Sequence, residues 1–310
     1  MSVRPVLCIV RRRLTGLCLV LALVFMAPGA VLADAAIVVT DDTGREVRLD
    51  APARRVVALA PHLTEMLFAV GAGDTLVGAV DYSDYPPAAL ELPRVGGARG
   101  VDVEAVLALE PELVLAWASA PQGGAARRLE SLGIPVFRSN PDSLEAVART
   151  MQRIGRLVGH AEGGEARAEA LLEQLAALQA EYGQVTSPAL RVFYEVWHEP
   201  LMTVGGGHFI SEIIALCGGR NIFSELAAPS PRVDREALLA RDPQVILSAT
   251  SSEEEAAELL ARWQRWPDLA AVRDDQVRAL PADLLGRPGP RLVDGARHLC
   301  QQLRQAREAL

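Results

Sequence analysis

Five histidines, two late cysteines and a few close carboxylate pairs are the residues of this chain with the chemistry to catalyse a reaction or hold a metal. Their spacing decides between these roles. His62, His160, His198, His208 and His298 stand far apart, and only His208 has an acid, Glu212, four residues on along an expected helix. That interval puts two potential ligands on one helix face, but two ligands do not complete a metal site, and the pair reads as solvated. Asp81 and Asp84 could do acid–base work, yet Pro86 and Pro87 follow directly, and a turn accounts for the cluster. Gly205-Gly206-Gly207 precedes a helix and could cradle an anion at its N-terminus; a tight strand-to-helix turn explains the glycines equally well. The chain has no Gly-x-Ser-x-Gly elbow, no His-Glu-x-x-His and no lysine, which excludes a phosphate-loop lysine and a Schiff base. No nucleophile, base or metal set can be named. The expectation is a protein that is not an enzyme and carries no metal or cofactor, a secreted enzyme being the remote alternative.

Aromatic residues at strand ends carry more information. Tyr82 and Tyr85 sit in Asp81-Tyr-Ser-Asp-Tyr-Pro-Pro87 just after an expected strand, and Trp117 closes the strand that starts at Leu113. Rings at such positions stand where the chain leaves a sheet, the usual place for a ligand, with core packing as the competing fate of each. Only 5% of the residues are aromatic, so the placements are not diluted by many others.

The elements that must position these rings alternate along the chain. Runs such as Arg55 to Leu59, Thr75 to Val80, Leu113 to Trp117, Arg191 to Trp197 and Val245 to Leu247 read as strands. Helical-period segments lie between them, the rhythm of a parallel sheet with helices on its faces. One stretch repeats: Glu104-Ala-Val-Leu-Ala-Leu-Glu-Pro-Glu-Leu-Val-Leu115 aligns without gaps to Glu236-Ala-Leu-Leu-Ala-Arg-Asp-Pro-Gln-Val-Ile-Leu247, six of twelve positions being identical. Thr64-Glu65-Met66-Leu67 matches Ser211-Glu212-Ile213-Ile214 in the same way, each hydroxyl residue placed to cap a helix. The expected fold is α/β: two pseudo-symmetric lobes with mostly parallel sheets, over 34–160 and 188–310, and a ligand cleft between them. Glu165 to Tyr182 carries leucines at three- and four-residue spacing with no glycine or proline, so 161–187 is expected to supply one long rigid connecting helix.

Composition bounds the partners. Arg11, Arg12 and Arg13 precede an apolar run and a small-residue site ending at Ala33, the pattern of a signal peptide over 1–33 and of export. Without that segment the chain has 27 arginines against 39 acids, a net charge of −12 with no basic stripe, which argues against nucleic acid. Cys8 and Cys18 leave with the segment, and Cys217 and Cys300 remain, to pair in an oxidising compartment or to persist as two buried thiols.

The segments Arg55-Val-Val-Ala-Leu-Ala-Pro-His-Leu-Thr-Glu65, Val80-Asp-Tyr-Ser-Asp-Tyr-Pro-Pro87, Pro111-Glu-Leu-Val-Leu-Ala-Trp117, Cys217-Gly-Gly-Arg-Asn-Ile-Phe223 and Asp242-Pro-Gln-Val-Ile246 make the chain familiar. It resembles the helical-backbone binding proteins that deliver cobalamin, haem or ferric siderophores to ABC importers. The Tyr-Ser-Asp-Tyr-Pro-Pro segment and the Cys217/Cys300 pair point to the cobalamin branch. The resemblance implies a periplasmic monomer whose cargo is cobalamin or a related corrinoid, with haem or a ferric siderophore as the alternative. By the same likeness, Tyr82 and Trp117 line the cleft against a flat corrin, and Pro61 and His62 lie on a ligand-facing loop, where His62 could approach the cargo metal. Met202 stands where a relative has an aromatic, and Asp283 and Arg287 reach the ligand from the second lobe. Glu104 and Glu236 correspond to carboxylates that dock on arginines of the permease dimer in the inner membrane. Ala98 and Ser230 stand where relatives present tryptophans, leaving a less aromatic cleft.

Overall fold

A computed structural model describes residues 36–97, 99–119, 123–184 and 188–310. The expected export segment 1–33, with Cys8 and Cys18, and Ala98 lie outside the described residues. A hairpin of β1 (Ile37–Thr40) and β2 (Glu46–Leu49) opens the described chain. The first lobe then runs through β3 (Val56–Ala58), α1 (Pro61–Ala69) and β4 (Leu76–Ala79). It continues through the short pair β5 (Gly96–Gly97) and β6 (Gly100–Val101), then α2 (Val103–Ala108) and β7 (Leu113–Trp117). α3 (Gly123–Ser131), β8 (Val136–Ser139) and α4 (Leu144–Leu157) complete it. After α5 (Ala161–Tyr182) come β9 (Leu190–Glu195), α6 (Phe209–Leu216), β10 (Gly219–Asn221), α7 (Arg235–Arg241) and β11 (Val245–Thr250). The last elements are α8 (Glu253–Trp263), α9 (Ala270–Arg273), β12 (Val277–Pro281), α10 (Ala282–Leu285) and α11 (Leu292–Ala309).

The two main sheets are parallel, four-stranded and ordered alike, β4-β3-β7-β8 and β10-β9-β11-β12. In each, the strand that comes second lies outside the first, and the third and fourth follow on the other side. The sequence repeat falls on α2–β7 in one lobe and on α7–β11 in the other, so its copies are structural equivalents. Strands of a parallel sheet covered on both faces read as apolar runs, and β7, Leu-Val-Leu-Ala-Trp, is buried through its first four residues.

Matched helices differ from expectation at their starts. α1 begins at Pro61, whose fixed φ suits a first helical turn, and Ala60 before it offers no side-chain cap. Thr64 and Ser211 lie inside their helices, and their hydroxyls fasten loops rather than cap. Thr64 Oγ1 donates to Ser83 Oγ (3.2 Å), and Ser211 Oγ donates to the Gly205 carbonyl (2.6 Å) while accepting from Asn221 Nδ2 (2.7 Å). α6 is capped by His208, whose Nδ1 accepts from Ile210 N at 3.2 Å. Glu212 reaches the other lobe and accepts from Leu144 N at the start of α4 (2.8 Å). The expected solvated His208/Glu212 pair is thus two separate helix-end contacts. Gly205 and Gly206 serve a close turn, since a Cβ on either would stand 2.1 Å from a carbonyl oxygen of the 224–228 segment.

α5 is longer than its leucine pattern suggests. Its 22 residues reach roughly 33 Å, and they begin four residues before Glu165 because Gly163 and Gly164 belong to the helix. A Cβ there would meet the Val70 and Met151 carbonyl oxygens at 2.2 and 2.7 Å, so glycine lets α5 press against α1 and α4. Leu171, Leu175, Leu178 and Tyr182 bury one stripe of α5 in an apolar core that also takes in residues of both sheets. The lobes therefore share a core rather than swing on a tether.

Cys217, at the end of α6, is bonded to Cys300 in α11 across 83 residues of sequence. Closing a loop of that length is worth about 4.5 kcal/mol on the chain-entropy scale. The C217S/C300S double variant is expected to lose about 2–5 kcal/mol in urea unfolding, as native disulfides of this kind do.

Candidate functional site

In a sheet ordered as these are, the crevice opens at the carboxyl ends of the first and third strands, where the connections diverge. In the first lobe those strands are β3 and β7. Pro61 and His62 follow β3, and Trp117 ends β7, half-buried. His62 stands edge-on to the Trp117 indole, ring centroids 5.5 Å apart. Tyr82 lies just beyond β4 in a loop and is 71% exposed. Its φ of 63° is left-handed, a conformation costing an L-residue of order 1–3 kcal/mol that surrounding contacts must hold. Arg94 supplies several of these: its guanidinium donates to the Val80, Ser83 and Ala89 carbonyls at 3.1–3.2 Å.

The loop is also fastened from the other lobe. Asp84 accepts from Arg287 at 2.8 Å, and the Arg291 guanidinium lies 4.1 Å from the centre of the Tyr85 ring. Both arginines converge on Glu65 of α1, whose side chain is 2% exposed: Arg287 at 3.1 Å, Arg291 through two bonds of 2.6 and 2.9 Å. Arg287 also pairs with Asp283, four residues before it, at 3.0 Å. Three carboxylates thus hold a guanidinium that sequence likeness assigns to the ligand, while Asp283 remains exposed. Desolvation pushes the Asp84 carboxyl up, but the hydrogen bond and charge of Arg287 outweigh it and hold Asp84 below the usual range.

His62 lies under this joint, 2% exposed, with a Cβ on Gly289 falling 3.3 Å from its own. Burial, aided by the charge of Arg287, pushes its pKa down to about 3, and its Nε2 is buried without a hydrogen-bond partner. It is a neutral ring packed against Trp117 and closed off from solvent. Among the described residues no group of three His, Cys, Asp or Glu side chains could hold a metal ion.

In the second lobe, Met202 is half-buried and pairs as an isolated bridge with both Trp197 and Arg232, while Ser230 is exposed nearby in sequence. Glu104 and Glu236 are exposed in the first turns of α2 and α7, beside N-caps Asp102 and Asp234. Sequence reasoning missed Glu65, Arg94 and Arg291, whose roles depend on partners distant in sequence. It also placed Trp197 inside a strand, although β9 ends at Glu195 and the indole beyond it is 62% exposed. The sequence does carry a hint: the charged Glu195 interrupts the apolar run Val192-Phe193-Tyr194, and Pro200 follows shortly after.

Paired parallel sheets of one strand order, a helix spanning both and aromatic rings on the sheet edges define a two-lobed solute-binding architecture. The chain belongs to the periplasmic binding protein family, whose profile matches residues 56–284. It is 36% identical over 258 residues to a vitamin B12-binding protein of Vibrio cholerae serotype O1, covering 83% of this chain and 91% of that one. The crystal structure of a periplasmic vitamin B12 binding protein of Vibrio cholerae superposes with a TM-score of 0.71 at 37% identity, covering 83% of this chain and 99% of that one. A periplasmic heme binding protein from Pseudomonas aeruginosa matches with a TM-score of 0.70 at 28% identity, over 80% and 91% of the chains.

Two outcomes follow from the joint. E65Q leaves Arg291 without its carboxylate partner and should cost about 3 kcal/mol in urea unfolding, the low end for a broken buried pair because Arg287 keeps Asp84 and Asp283. Acid should act through His62 and through His208, whose pKa burial lowers to about 4. As pH falls from the ordinary histidine value of 6.5 towards these values, the unfolded chain takes up protons that the folded chain refuses. Stability then drops by about 1.4 kcal/mol per pH unit for each histidine. Urea midpoints measured between about pH 6 and pH 4 should fall less steeply in H62Q than in the wild type.

Proposed function

We propose that this chain is exported by residues 1–33, binds cobalamin or a related corrinoid between its lobes, and passes it to an ABC permease dimer that it meets through Glu104 and Glu236. The observation that carries the reading is Tyr82, a ring 71% exposed and held out by a left-handed backbone at the carboxyl edge of a sheet. A binding protein for a broad flat cargo needs such a ring, because stacking and apolar burial supply affinity while a few polar groups fix orientation. Similarity to the vitamin B12-binding proteins supports the corrinoid in particular. Pro61, Trp117, Met202 and Asp283 complete the proposed contacts, with Arg287 acting chiefly as the strut that orients the Tyr82 loop. No bond in the cargo needs to change.

Haem is the second reading. The heme-binding relative shares the fold, and serine at position 230 leaves the second lobe without a ring there. Calorimetric titration with cyanocobalamin and with hemin side by side separates the two readings: cyanocobalamin is expected to bind and hemin not.

Delivery is separable from binding. Glu104 and Glu236 sit in the first turns of equivalent helices, matched positions of the kind a partner with two-fold symmetry would meet. Exposed rim charges steer and orient association and are screened beyond about 8–10 Å at physiological salt. The E104A/E236A double variant should keep its cargo affinity within about twofold and lose most transport into permease proteoliposomes. Equal loss of both activities contradicts this division.

A further inference from the structure

The second lobe has its own crevice. Its first and third strands are β9 and β11, and at their carboxyl ends lies a concavity of about 300 Å³ lined by Trp197, His198, Ser248, Thr250, Glu255 and Arg262. Its place in the second sheet matches the place of His62 and Trp117 in the first. Its polar wall is built rather than incidental. Glu195, 3% exposed, accepts from Trp263 Nε1 at 2.6 Å and from Arg262 at 3.0 Å, while Glu255 accepts from Ser251 N at 2.6 Å. Ser248 Oγ donates to the Glu195 carbonyl at 3.1 Å.

Trp197 is the apolar member of this wall and is 62% exposed. Its indole N–H donates to the Glu199 carbonyl at 2.8 Å, so the ring has no donor left to satisfy and offers a partner its face and edge. Its backbone is fixed as well. Met202 N donates to the Trp197 carbonyl at 2.8 Å, and Val196 N donates to the Met202 carbonyl at 2.9 Å. A large ring held at both ends and left uncovered loses little freedom on meeting a ligand, which makes it an effective stacking platform.

We infer that Trp197 is the second lobe's platform for the flat face of a conjugated macrocycle, with Ser248, Thr250, Glu255 and Arg262 as the polar rim for groups on the macrocycle's edge. The inference rests on the reading that the cleft binds such a cargo. A corrin and a porphyrin present the same flat chemistry, and the experiment tells them apart.

The full-length mature protein, W197A and W197F are titrated with cyanocobalamin and with hemin by calorimetry, alongside thermal melts. Because Trp197 is exposed, W197A should melt like the wild type. It should bind whichever macrocycle the wild type binds about tenfold to a hundredfold more weakly, with W197F recovering most of the loss. Bound cargo should also quench indole fluorescence, and W197F should lose a distinct share of that quenching. Wild-type affinity in W197A overturns the inference and leaves the functional reading standing. A wild-type protein that binds neither macrocycle overturns both.

Discussion

Taking a carboxylate as deep as that of Glu65 out of water costs several kcal/mol, and in this protein the offsetting charges come from the opposite lobe. The lobes cannot part without stranding that charge, which makes the pairing the constraint on which the cleft depends. The same two arginines run on to Asp84 and Tyr85, so the loop that presents Tyr82 is oriented by the act of closing the joint. Around this polar centre lies an apolar core drawn from both sheets and from the buried stripe of α5. An ion network alone would tolerate sliding, and a core alone would tolerate rotation about α5. Together they fix one relative placement of the two rims, and a preformed rim avoids the ordering cost that a mobile one would meet on binding.

Pseudo-symmetry explains why the functional residues cluster at strand ends. Each sheet has the order second, first, third, fourth, and so each has a crevice beside its first strand where the connections leave for opposite faces. The lobes fill these crevices differently. In the first, the His62 ring backs Trp117; in the second, the Glu195–Arg262–Trp263 cluster makes a polar wall with Trp197 standing clear. A cargo with one apolar face and a polar periphery suits such unequal halves.

Legibility from sequence followed the range of the interaction. Strands and helices are readable because apolar periodicity is local, and the repeat at Glu104–Leu115 and Glu236–Leu247 marks equivalent elements in the sequence itself. Strand order was not readable, since parallel pairing joins residues with a helix between them. Nor was the joint: Glu65 looks like an ordinary polar residue in the first helix, and its partners lie 222 and 226 residues away. Thr64 and Ser211 show the limit most clearly. Their position relative to the helices was read nearly correctly, yet a hydroxyl in a first turn can cap its own helix or reach a neighbouring loop, and only packing chooses.

The absence of lysine bears on the same joint. An ammonium is a compact, strongly hydrated point charge, whereas a guanidinium is flat, less strongly hydrated and carries five donors in a fixed fork. Arg287 uses its fork to meet Glu65, Asp84 and Asp283 together, and Arg291 meets Glu65 through two bonds while its plane covers Tyr85. Arg94 meets three carbonyls in the same manner. One cation joining several acceptors at set angles transmits direction as well as charge. That is how a chain with a surplus of acids aims an aromatic ring from groups lying on the far side of its cleft.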